Sequence, residues 1–214
     1  MKNILKKKYK SFIIAEAGIN HNGDLNLAHK LIDEAVNTGA DAVKFQIYNS
    51  EEVVHPDCPR PGHEIANVKE EVSHLEMLQK WELSYDNFIE LKKHTDEMNI
   101  IFCASTGNAK ATNFLLNDLN CELIKIASAD MSHYQMLEIA GKSNAMVLVS
   151  TGMSFWDEIK DSVNFLGKFT NKIGVLKCTS NYPASSSSIN LNGINKLLEQ
   201  FPNYEIGFSD HSIG

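Results

Sequence analysis

The sequence predicts an α/β fold built on parallel strands, and two patterns carry that prediction. Seven short apolar runs recur along the chain, and each ends in a polar cluster. Runs that are apolar almost throughout are typical of strands buried on both faces, as in a parallel sheet, so their polar ends gather on one rim. Segments with apolar residues at three- and four-residue spacing separate the runs. This strict alternation, with right-handed crossovers, favours closure into a (β/α)8 barrel, whose chemistry lies on that rim.

The predicted elements follow one another without interruption. The strands with their polar ends lie at Phe12–His21, Ala42–Gln46, Ile100–Thr106, Leu123–Asp130, Met146–Gly152, Ile173–Ser180 and Glu205–His211. The helices lie at Leu25–Thr38, Tyr85–Met98, Ala109–Asn117, Tyr134–Lys142, Phe155–Leu166 and Leu191–Phe201. Asp24, Ser84 and Ser154 are the expected caps of the first, second and fifth helices. An open doubly wound sheet is the rival arrangement, but no Gly-x-Gly-x-x-Gly follows the first strand.

Two features of the chain depart from a regular barrel. The count of strands stops at seven, and a closed barrel needs an eighth, so residues 1–214 are expected to be a partial barrel domain truncated after the seventh strand. Residues 49–84 form the longest connection and contain the turn-rich stretch His55–Gly62, which has no helical period. Because connections of this length are usually functional lids or disordered, we expect a lid.

Composition indicates a globular enzyme and excludes several other classes. The chain is 43% hydrophobic and 22% charged, with a formal net charge of -7. No basic stripe exists to bind nucleic acid, so an anionic ligand must be held by local groups. The lysine-rich start, Met1–Lys10, is not followed by an apolar core long enough for a signal peptide, and no apolar stretch approaches membrane-spanning length, so neither a leader nor a membrane span is expected. The four cysteines are widely spaced, which suggests neither a zinc site nor a disulfide framework, and a cytoplasmic location is expected.

Two lysines on predicted strands point to an anion site. Lys44 shares one side of the second strand with Gln46, and Lys125 lies within the fourth. A buried ammonium is costly unless it is paired or meets an anion, and an ion pair with a carboxylate such as Glu16 is the structural alternative for each. Hydroxyls at the strand ends favour a phosphate cradle. They belong to Thr106, Ser128, Ser150 and Ser209.

The spacing of Lys125 and Ser128 sets a condition on the fourth strand. The two residues are three apart, so a regular strand would direct them to opposite faces. If both serve one ligand, the strand must bulge or end near Ala127.

Two histidines follow strand ends and allow two interpretations each. His211 closes the Ser209–His211 segment, where a neutral imidazole is either a divalent-metal ligand or a structural hydrogen-bonding group. His21 lies among Asn20, Asn22 and Gly23, which favours a turn residue over a second ligand.

Seven motifs together resemble one family. They are Ile14–Asp24, Val43–Gln46, Leu75–Leu78 with Glu82–Tyr85, Lys125–Ser128, Ser150–Met153, Cys178–Pro183 and Gly207–His211. In this order and spacing, over nearly the whole chain, they look like the N-acetylneuraminate (sialic acid) synthase family, which includes synthases of legionaminic, pseudaminic and related nonulosonic acids.

The resemblance implies a barrel transferase that condenses phosphoenolpyruvate with an open-chain N-acetylated amino sugar such as N-acetylmannosamine and releases phosphate. It places Glu16, Gln46, Asp130 and Tyr182 near the reacting carbons or the sugar. It makes His211 one of two histidines that bind a divalent metal, manganese or magnesium. Phosphoenolpyruvate would be held by Lys44, Thr106, Lys125, Ser128, Ser150, Ser180 and Ser209.

The chain also departs from the family pattern. Asp130 stands where glutamate is common, Gly107-Asn108 replaces a proline-containing continuation, and Ser180 replaces asparagine of some members, which affects the sugar more than the reaction. The second metal histidine, the eighth strand and the antifreeze-like domain that caps the partner's site in a dimer are not within these residues. Because that domain caps the partner's site, the full-length protein is expected to be a homodimer. Because these segments are missing, this chain alone is expected to be inactive. A Schiff-base aldolase using Lys125 or Lys44 and a non-catalytic fragment remain as alternatives.

Overall fold

The computed structural model describes residues 11–60 and 72–213, which belong to two compact units. The amino-terminal unit ends at Glu122, and the carboxy-terminal unit begins at Leu123. In both units strands and helices alternate along the chain, and neighbouring strands pair in parallel, as the sequence predicts. The expectation of a single domain over residues 1–214 stays a prediction.

Within its described residues, the amino-terminal unit contains three strands in chain order. They are β1 (Ile14–Gly18), β2 (Ala42–Ile47) and β3 (Ile101–Thr106). Ala42 of β2 is in register with Ile14 on one side and Ile101 on the other. The helices are α1 (Leu25–Asn37), α2 (Ser50–Val53), α3 (His74–Trp81), α4 (Tyr85–Glu97) and α5 (Ala109–Asn113), which continues as a π-helical turn over Phe114–Asp118.

Apolar packing on both faces of β2 explains why its sequence is almost continuously apolar. Every residue of β2 except Gln46 is buried. Phe45 stacks on Phe102 of β3 at 5.7 Å between ring centroids. Ile32 of α1 and Phe88 of α4 are also fully buried. Each such side chain contributes about 1.5 to 3 kcal/mol to folding, which is the usual gain for burying a large apolar group.

The described carboxy-terminal unit contains four strands, again in chain order. They are β4 (Leu123–Ile126), β5 (Met146–Ser150), β6 (Ile173–Cys178) and β7 (Glu205–Ser209). A 3₁₀ turn at Ser128–Asp130 follows β4. The helices are α6 (Tyr134–Lys142), α7 (Trp156–Leu166), α8 (Ser186–Ile189) and α9 (Asn192–Gln200).

Two of the three predicted helix caps are confirmed and one is wrong. The Asp24 carboxylate accepts from the backbone N–H groups of Asn26 and Leu27, and Ser84 forms a capping box with Asn87. Ser154 does not cap α7, because its hydroxyl donates to the Gly152 carbonyl. Phe155 occupies the cap position instead, and its N–H donates to Glu158 at 2.7 Å.

The long connection after β2 contains two helices that the sequence analysis did not predict. The short helix α2 is fixed by Glu82, whose carboxylate accepts from the Ser50 N–H at 2.8 Å and from its hydroxyl. Helix α3 begins with a capping box between Ser73 and Glu76. Residues 61–71, which include part of the turn-rich stretch, lie outside the described residues, and the lid stays a prediction.

The remaining expectations concern membranes and thiols. Within residues 11–60 and 72–213, every helix is too short or too polar to cross a bilayer. Cys103, Cys121 and Cys178 are buried and Cys58 is exposed, and none of these four described residues forms a disulfide. The cytoplasmic location stays a prediction.

Candidate active site

Lys44 of β2 is paired with Glu16 of β1, as one of the two sequence interpretations anticipated. The two residues are in register on neighbouring strands. The Lys44 ammonium donates to Glu16 Oε1 at 2.9 Å and lies 2.8 Å from Oε2 in the ion pair. Lys44 is only 5% exposed, whereas Glu16 is partly open to solvent. The pair offsets the cost of burying the ammonium and leaves the carboxylate accessible to water or a ligand.

A bulge at the end of β1 brings Gln46 toward this ion pair. The register of β1 against β2 shifts between Glu16 and Gly18. Gly18 has a φ of +54°, and a Cβ there would lie 3.1 Å from Glu16 Oε1 and 3.8 Å from Gln46 Nε2. Glu16 and Gln46, both predicted near the reacting carbons, therefore lie on either side of a glycine whose conformation favours the absence of a side chain.

Thr106, predicted to hold phosphoenolpyruvate, has its hydroxyl proton engaged within the protein. The Thr112 hydroxyl donates its single proton to the Asn108 carbonyl at 2.8 Å. The 2.8 Å contact between the Thr106 and Thr112 hydroxyls must then use the Thr106 proton. Thr106 lies at the carboxyl end of β3 and is buried, but in this arrangement its hydroxyl can only accept a further hydrogen bond.

His21 forms part of a turn, which confirms the preferred interpretation. Its Nδ1 accepts from the Gly23 N–H at 3.1 Å, which places the ring proton on Nε2. The side chain is 1% exposed, and Nε2 has no hydrogen-bond partner among the described residues. Burial lowers the pKa of this imidazole, because charging it would require desolvating a cation.

The end of β4 meets the condition that the Lys125–Ser128 spacing imposes. The strand stops at Ile126, and Ser128 begins a 3₁₀ turn. The side-chain alternation of the strand therefore no longer applies at Ser128. Its hydroxyl accepts from the Gly152 N–H at 3.0 Å.

The hydroxyls of Ser128 and Ser180 lie next to Gly152. Together with Ser150, these residues are called the serine cluster. A Cβ at Gly152 would lie 2.2 Å from Ser180 Oγ and 2.9 Å from Ser128 Oγ. Ser150 ends β5, two residues before Gly152. The hydroxyls of Ser150 and Ser180 are buried without a hydrogen-bond partner in the described part of the chain. Buried unpaired hydroxyls are costly, so they favour a ligand rich in acceptor oxygens.

Asp130, predicted to face the sugar, closes the 3₁₀ turn after β4. Burial raises the pKa of its carboxyl, and the nearby charges of His133 and Lys125 partly oppose that shift. The carboxyl is therefore easier to protonate than a solvent-exposed aspartate.

His211, Tyr182 and Cys178 form a contact group that the sequence did not reveal. Tyr182 Oη lies 2.6 Å from His211 Nε2, and the two rings stack with centroids 3.8 Å apart. Cys178 Sγ lies 3.9 Å from His211 Nε2. Burial alone raises the pKa of the Cys178 thiol, but hydrogen bonds with His211 and Ser128, together with the charges of His211 and Lys125, outweigh burial and lower the pKa to about 7. Ser209 is in register with Cys178 at the end of β7.

The described residues do not complete a metal centre. Across residues 11–60 and 72–213, no group of three or more His, Cys, Asp or Glu side chains is placed to hold a metal ion. His211 supplies one imidazole, but its Nε2 contacts Tyr182, and the neighbouring Asp210 carboxylate accepts from the N–H and the hydroxyl of Ser212. His211 stays a predicted ligand without partners in this part of the chain.

Comparison with known proteins shows close relatives over almost the whole chain. The sequence profile of the NeuB family matches residues 31–214. The N,N'-diacetyllegionaminic acid synthase of Campylobacter jejuni is 36% identical over 208 residues, which cover 96% of this chain and 62% of that protein. The human N-acetylneuraminate-9-phosphate synthase is 32% identical over 209 residues, covering 95% of this chain and 56% of that protein.

A solved structure gives the same result. The N-acetylneuraminic acid synthetase of Leptospira borgpetersenii, crystallised with citrate, is 36% identical and superposes with a TM-score of 0.81. The superposition covers 95% of this chain and 66% of that one. The likeness confirms the predicted α/β barrel fold class. The chain spans less than two thirds of the length of each of these relatives.

Proposed function

The chain belongs to the NeuB family, and we propose that it acts as a nonulosonic acid synthase that condenses phosphoenolpyruvate with the open-chain form of an N-acetylated amino sugar and releases phosphate. The serine cluster carries this proposal. Two buried hydroxyls without partners among the described residues, beside a glycine that leaves room, suit the acceptor oxygens of a phosphate. Lys125, on the strand that leads to Ser128, would add a charge-assisted bond.

The proposed reaction has two bond-making steps. The enol carbon of phosphoenolpyruvate attacks the sugar aldehyde, and the aldehyde oxygen takes up a proton. Water then adds to the resulting cationic carbon, and the bond from that carbon to the phosphate oxygen breaks, so phosphate leaves. Glu16, partly open to solvent beside Lys44, would orient the water. Lys125 and the serine cluster would stabilise the charge on the departing phosphate.

Choice of sugar would depend on polar side chains. We assign this role to Gln46, Asp130 and Tyr182, because a site that hydrogen-bonds particular groups rejects analogues that lack them. Gln46 is exposed at its strand end, and Tyr182 is about half exposed. N-acetylmannosamine and diacetamido sugars are the substrates to compare.

A divalent metal, manganese or magnesium, and a homodimeric full-length protein are further parts of the proposal. A bound metal would supply a Lewis acid for the aldehyde, with His211 as its one candidate ligand among the described residues. The roles given to Glu16, Lys125 and the serines do not depend on it.

The Schiff-base alternative gains no support from Lys44. An amine must lose its proton before it attacks a carbonyl, whereas the Lys44 ammonium is held in an ion pair with Glu16. Borohydride treatment in the presence of pyruvate would trap the protein covalently only if that alternative were correct.

The test is phosphate release from phosphoenolpyruvate by the protein that carries this chain, with N-acetylmannosamine and a diacetamido sugar as acceptors. Lys125→Met should raise the KM for phosphoenolpyruvate roughly 10- to 100-fold, because a charge-assisted bond contributes about 1.5 to 3 kcal/mol. Lys172→Met is the matched control, since Lys172 donates to the Asn144 carbonyl before β6 begins.

Two results would contradict the proposal. Absence of sugar-dependent phosphate release with every acceptor would reject the synthase function. An unchanged KM in Lys125→Met, with a lowered melting temperature, would instead make Lys125 a structural residue.

A further inference from the structure

A cavity opens in the carboxy-terminal unit beside the loop that carries Gly152, and Thr151 and Met153 of this loop line it. It has a volume of about 380 Å³ and lies between the start of α7 and the face of α9. Lys177 of β6 and Lys196 of α9 line it, with Trp156 of α7. This volume is within the range of small-molecule pockets. Cys178 contributes to its wall, but none of the residues assigned to phosphoenolpyruvate does.

The cavity contains two ammonium groups without a carboxylate partner among the described residues. Lys177 Nζ donates to the Cys178 carbonyl at 2.9 Å and to the Thr179 hydroxyl at 3.1 Å. Lys196 Nζ lies 4.7 Å from the centre of the Trp156 ring. Hydroxyl, carbonyl and ring partners orient these ammonium groups but do not neutralise them. Two positive charges that face one concave space favour an anion.

Apart from Thr151 and Ser154, the rest of the lining is largely apolar. Ile159 of α7 and Leu197 of α9 line the cavity, and both are buried. Met153 and Phe155 at its rim are 74% and 80% exposed. An apolar rim beside two ammonium groups suits a ligand with an apolar body and an acidic group.

The loop that forms the rim adopts an unusual backbone conformation. Met153 has a φ of +57°, in the left-handed region that residues other than glycine rarely occupy. Such conformations cost about 1 to 3 kcal/mol and cluster at ligand sites. The adjacent Ser154 hydroxyl donates to the Gly152 carbonyl at 3.0 Å and helps to fix the loop.

Packing also explains how Lys177 reaches the cavity. A Cβ at Gly193 of α9 would lie 3.0 Å from Lys177 Cδ, so the glycine gives the lysine stem room to cross the helix. The start of α7 is not the anion-binding element, because Glu158 already accepts from the Phe155 N–H. The two lysines are the groups that would receive the acid.

We propose that this cavity binds a small organic anion, with its carboxylate or phosphate against Lys177 and Lys196 and its apolar body against Trp156 and Phe155. None of the residues assigned to phosphoenolpyruvate lines the cavity, so we expect the anion to bind while phosphoenolpyruvate is bound. The inference does not depend on the synthase function.

Ligand-observed NMR with phenyl phosphate, benzoate and benzyl alcohol tests the proposal, in the presence and absence of saturating phosphoenolpyruvate. We expect at least one of the two anions to bind saturably, and the neutral alcohol at least tenfold more weakly. Lys177→Met and Lys196→Met should each weaken anion binding at least fivefold. Lys168→Met is the matched control, because Lys168 also lies over an aromatic ring, Phe165 at 5.3 Å. It should not weaken binding, because Lys168 does not line the cavity.

Several outcomes would overturn the assignment. Absence of saturable binding of both anions would remove it, and so would an equal loss in Lys168→Met. Loss of binding in Lys125→Met would place the probe at the serine cluster instead. If either methionine variant fails to fold, Lys177→Gln and Lys196→Gln replace them: weakened binding of the anions supports the site, and unchanged binding in both folded glutamine variants contradicts it.

Discussion

Burial favours the neutral forms of Asp130 and His21, and the two residues therefore respond to pH in opposite directions. Burial raises the pKa of the Asp130 carboxyl and lowers that of the His21 imidazole. In both cases the folded protein resists the charged form more than the unfolded chain does. A difference in pKa between the two states makes the free energy of unfolding depend on pH.

For Asp130 we expect a stabilising substitution. The raised pKa means that the folded state loses stability as pH rises from the ordinary aspartate value, about 3.9, through the folded value. Asp130→Asn should raise the free energy of unfolding at pH 7, by less than about 1 kcal/mol because the group is partly exposed, and should lower the proposed synthase activity. Urea unfolding at several pH values measures this.

Asp157 provides the control of opposite sign. A hydrogen bond from Lys160 lowers the pKa of its carboxyl, so Asp157→Asn should remove stability at pH 7. If Asp130→Asn also destabilises the protein at pH 7, the Asp130 carboxylate is a stabilising charge and its assignment here is wrong.

For His21 the pH dependence has the other sign. Both states are neutral well above the ordinary histidine pKa, about 6.5, and as pH falls below it the unfolded chain takes up the proton first, so stability is lost. His21→Asn keeps an acceptor for the Gly23 N–H, as in an Asx turn, but cannot titrate. Between pH 7.5 and 5 the variant should lose less stability than the original protein.

His55→Asn is the matched control for His21. His55 makes the same contact two residues ahead, with the Asp57 N–H at 3.2 Å, but it is exposed. His55→Asn leaves the buried His21 in place and should therefore retain the loss of stability on acidification that His21→Asn reduces. Equal profiles for His21→Asn and the original protein would show that His21 titrates as in the unfolded chain.

Among the elements, α1 and α4 are joined by two reciprocal contacts. His29 of α1 lies 3.0 Å from Glu90 of α4, and His94 of α4 lies 2.8 Å from Asp33 of α1. The two imidazole rings meet edge to face with centroids 4.6 Å apart. In each contact the two residues are 61 positions apart in the sequence, so the contacts link helices that are distant along the chain.

We expect the Asp33–His94 pair to show measurable coupling. A double-mutant cycle of Asp33→Asn and His94→Gln should give about 0.2 to 1 kcal/mol, the usual range for partly exposed pairs. The same cycle for Lys93 and Glu97, which are 3.8 Å apart and largely exposed, should give less. A coupling near zero for Asp33–His94 would mean that this link between helices adds no stability, and similar values for both pairs would mean that it adds no more than an exposed pair within one helix.

Element length decided which helices the sequence predicted. The periodic pattern needs a window of about 11 residues, so the four-residue α2 and α8 give too little signal. The eight-residue α3 had a readable start, because Ser73 and Glu76 have the spacing of a capping box. The wrong cap at Ser154 has the opposite cause, since a hydroxyl at the right position bonds back to Gly152 instead.

For the whole molecule, local patterns predicted the fold and part of the candidate site. Buried strands and amphipathic helices are visible in sequence because their periods are short. The Lys44–Glu16 pair could also be predicted from the sequence, since both residues lie at corresponding positions of neighbouring strands. The contact of Tyr182 with His211 was not, because 29 residues separate them and only the fold determines their distance.

Net charge and site charge differ in sign, and the local groups decide binding. The chain carries a formal charge of -7. Charges farther apart than the Debye length, about 8 Å at physiological salt, are largely screened. Lys125 on β4 and the hydroxyls of the serine cluster are local groups of this kind. They suffice for a proposed anion site on an acidic protein.

Gly152 has a consequence for how this gene can vary. Every amino-acid change that a single base substitution produces at a glycine codon introduces a Cβ, and here that atom would lie 2.2 Å from Ser180 Oγ. Every single-base missense change of this codon therefore introduces a steric clash. In a library of all single variants selected for nonulosonic acid synthesis, position 152 should retain only its synonymous codons, whereas the exposed position 153 should retain many alternatives.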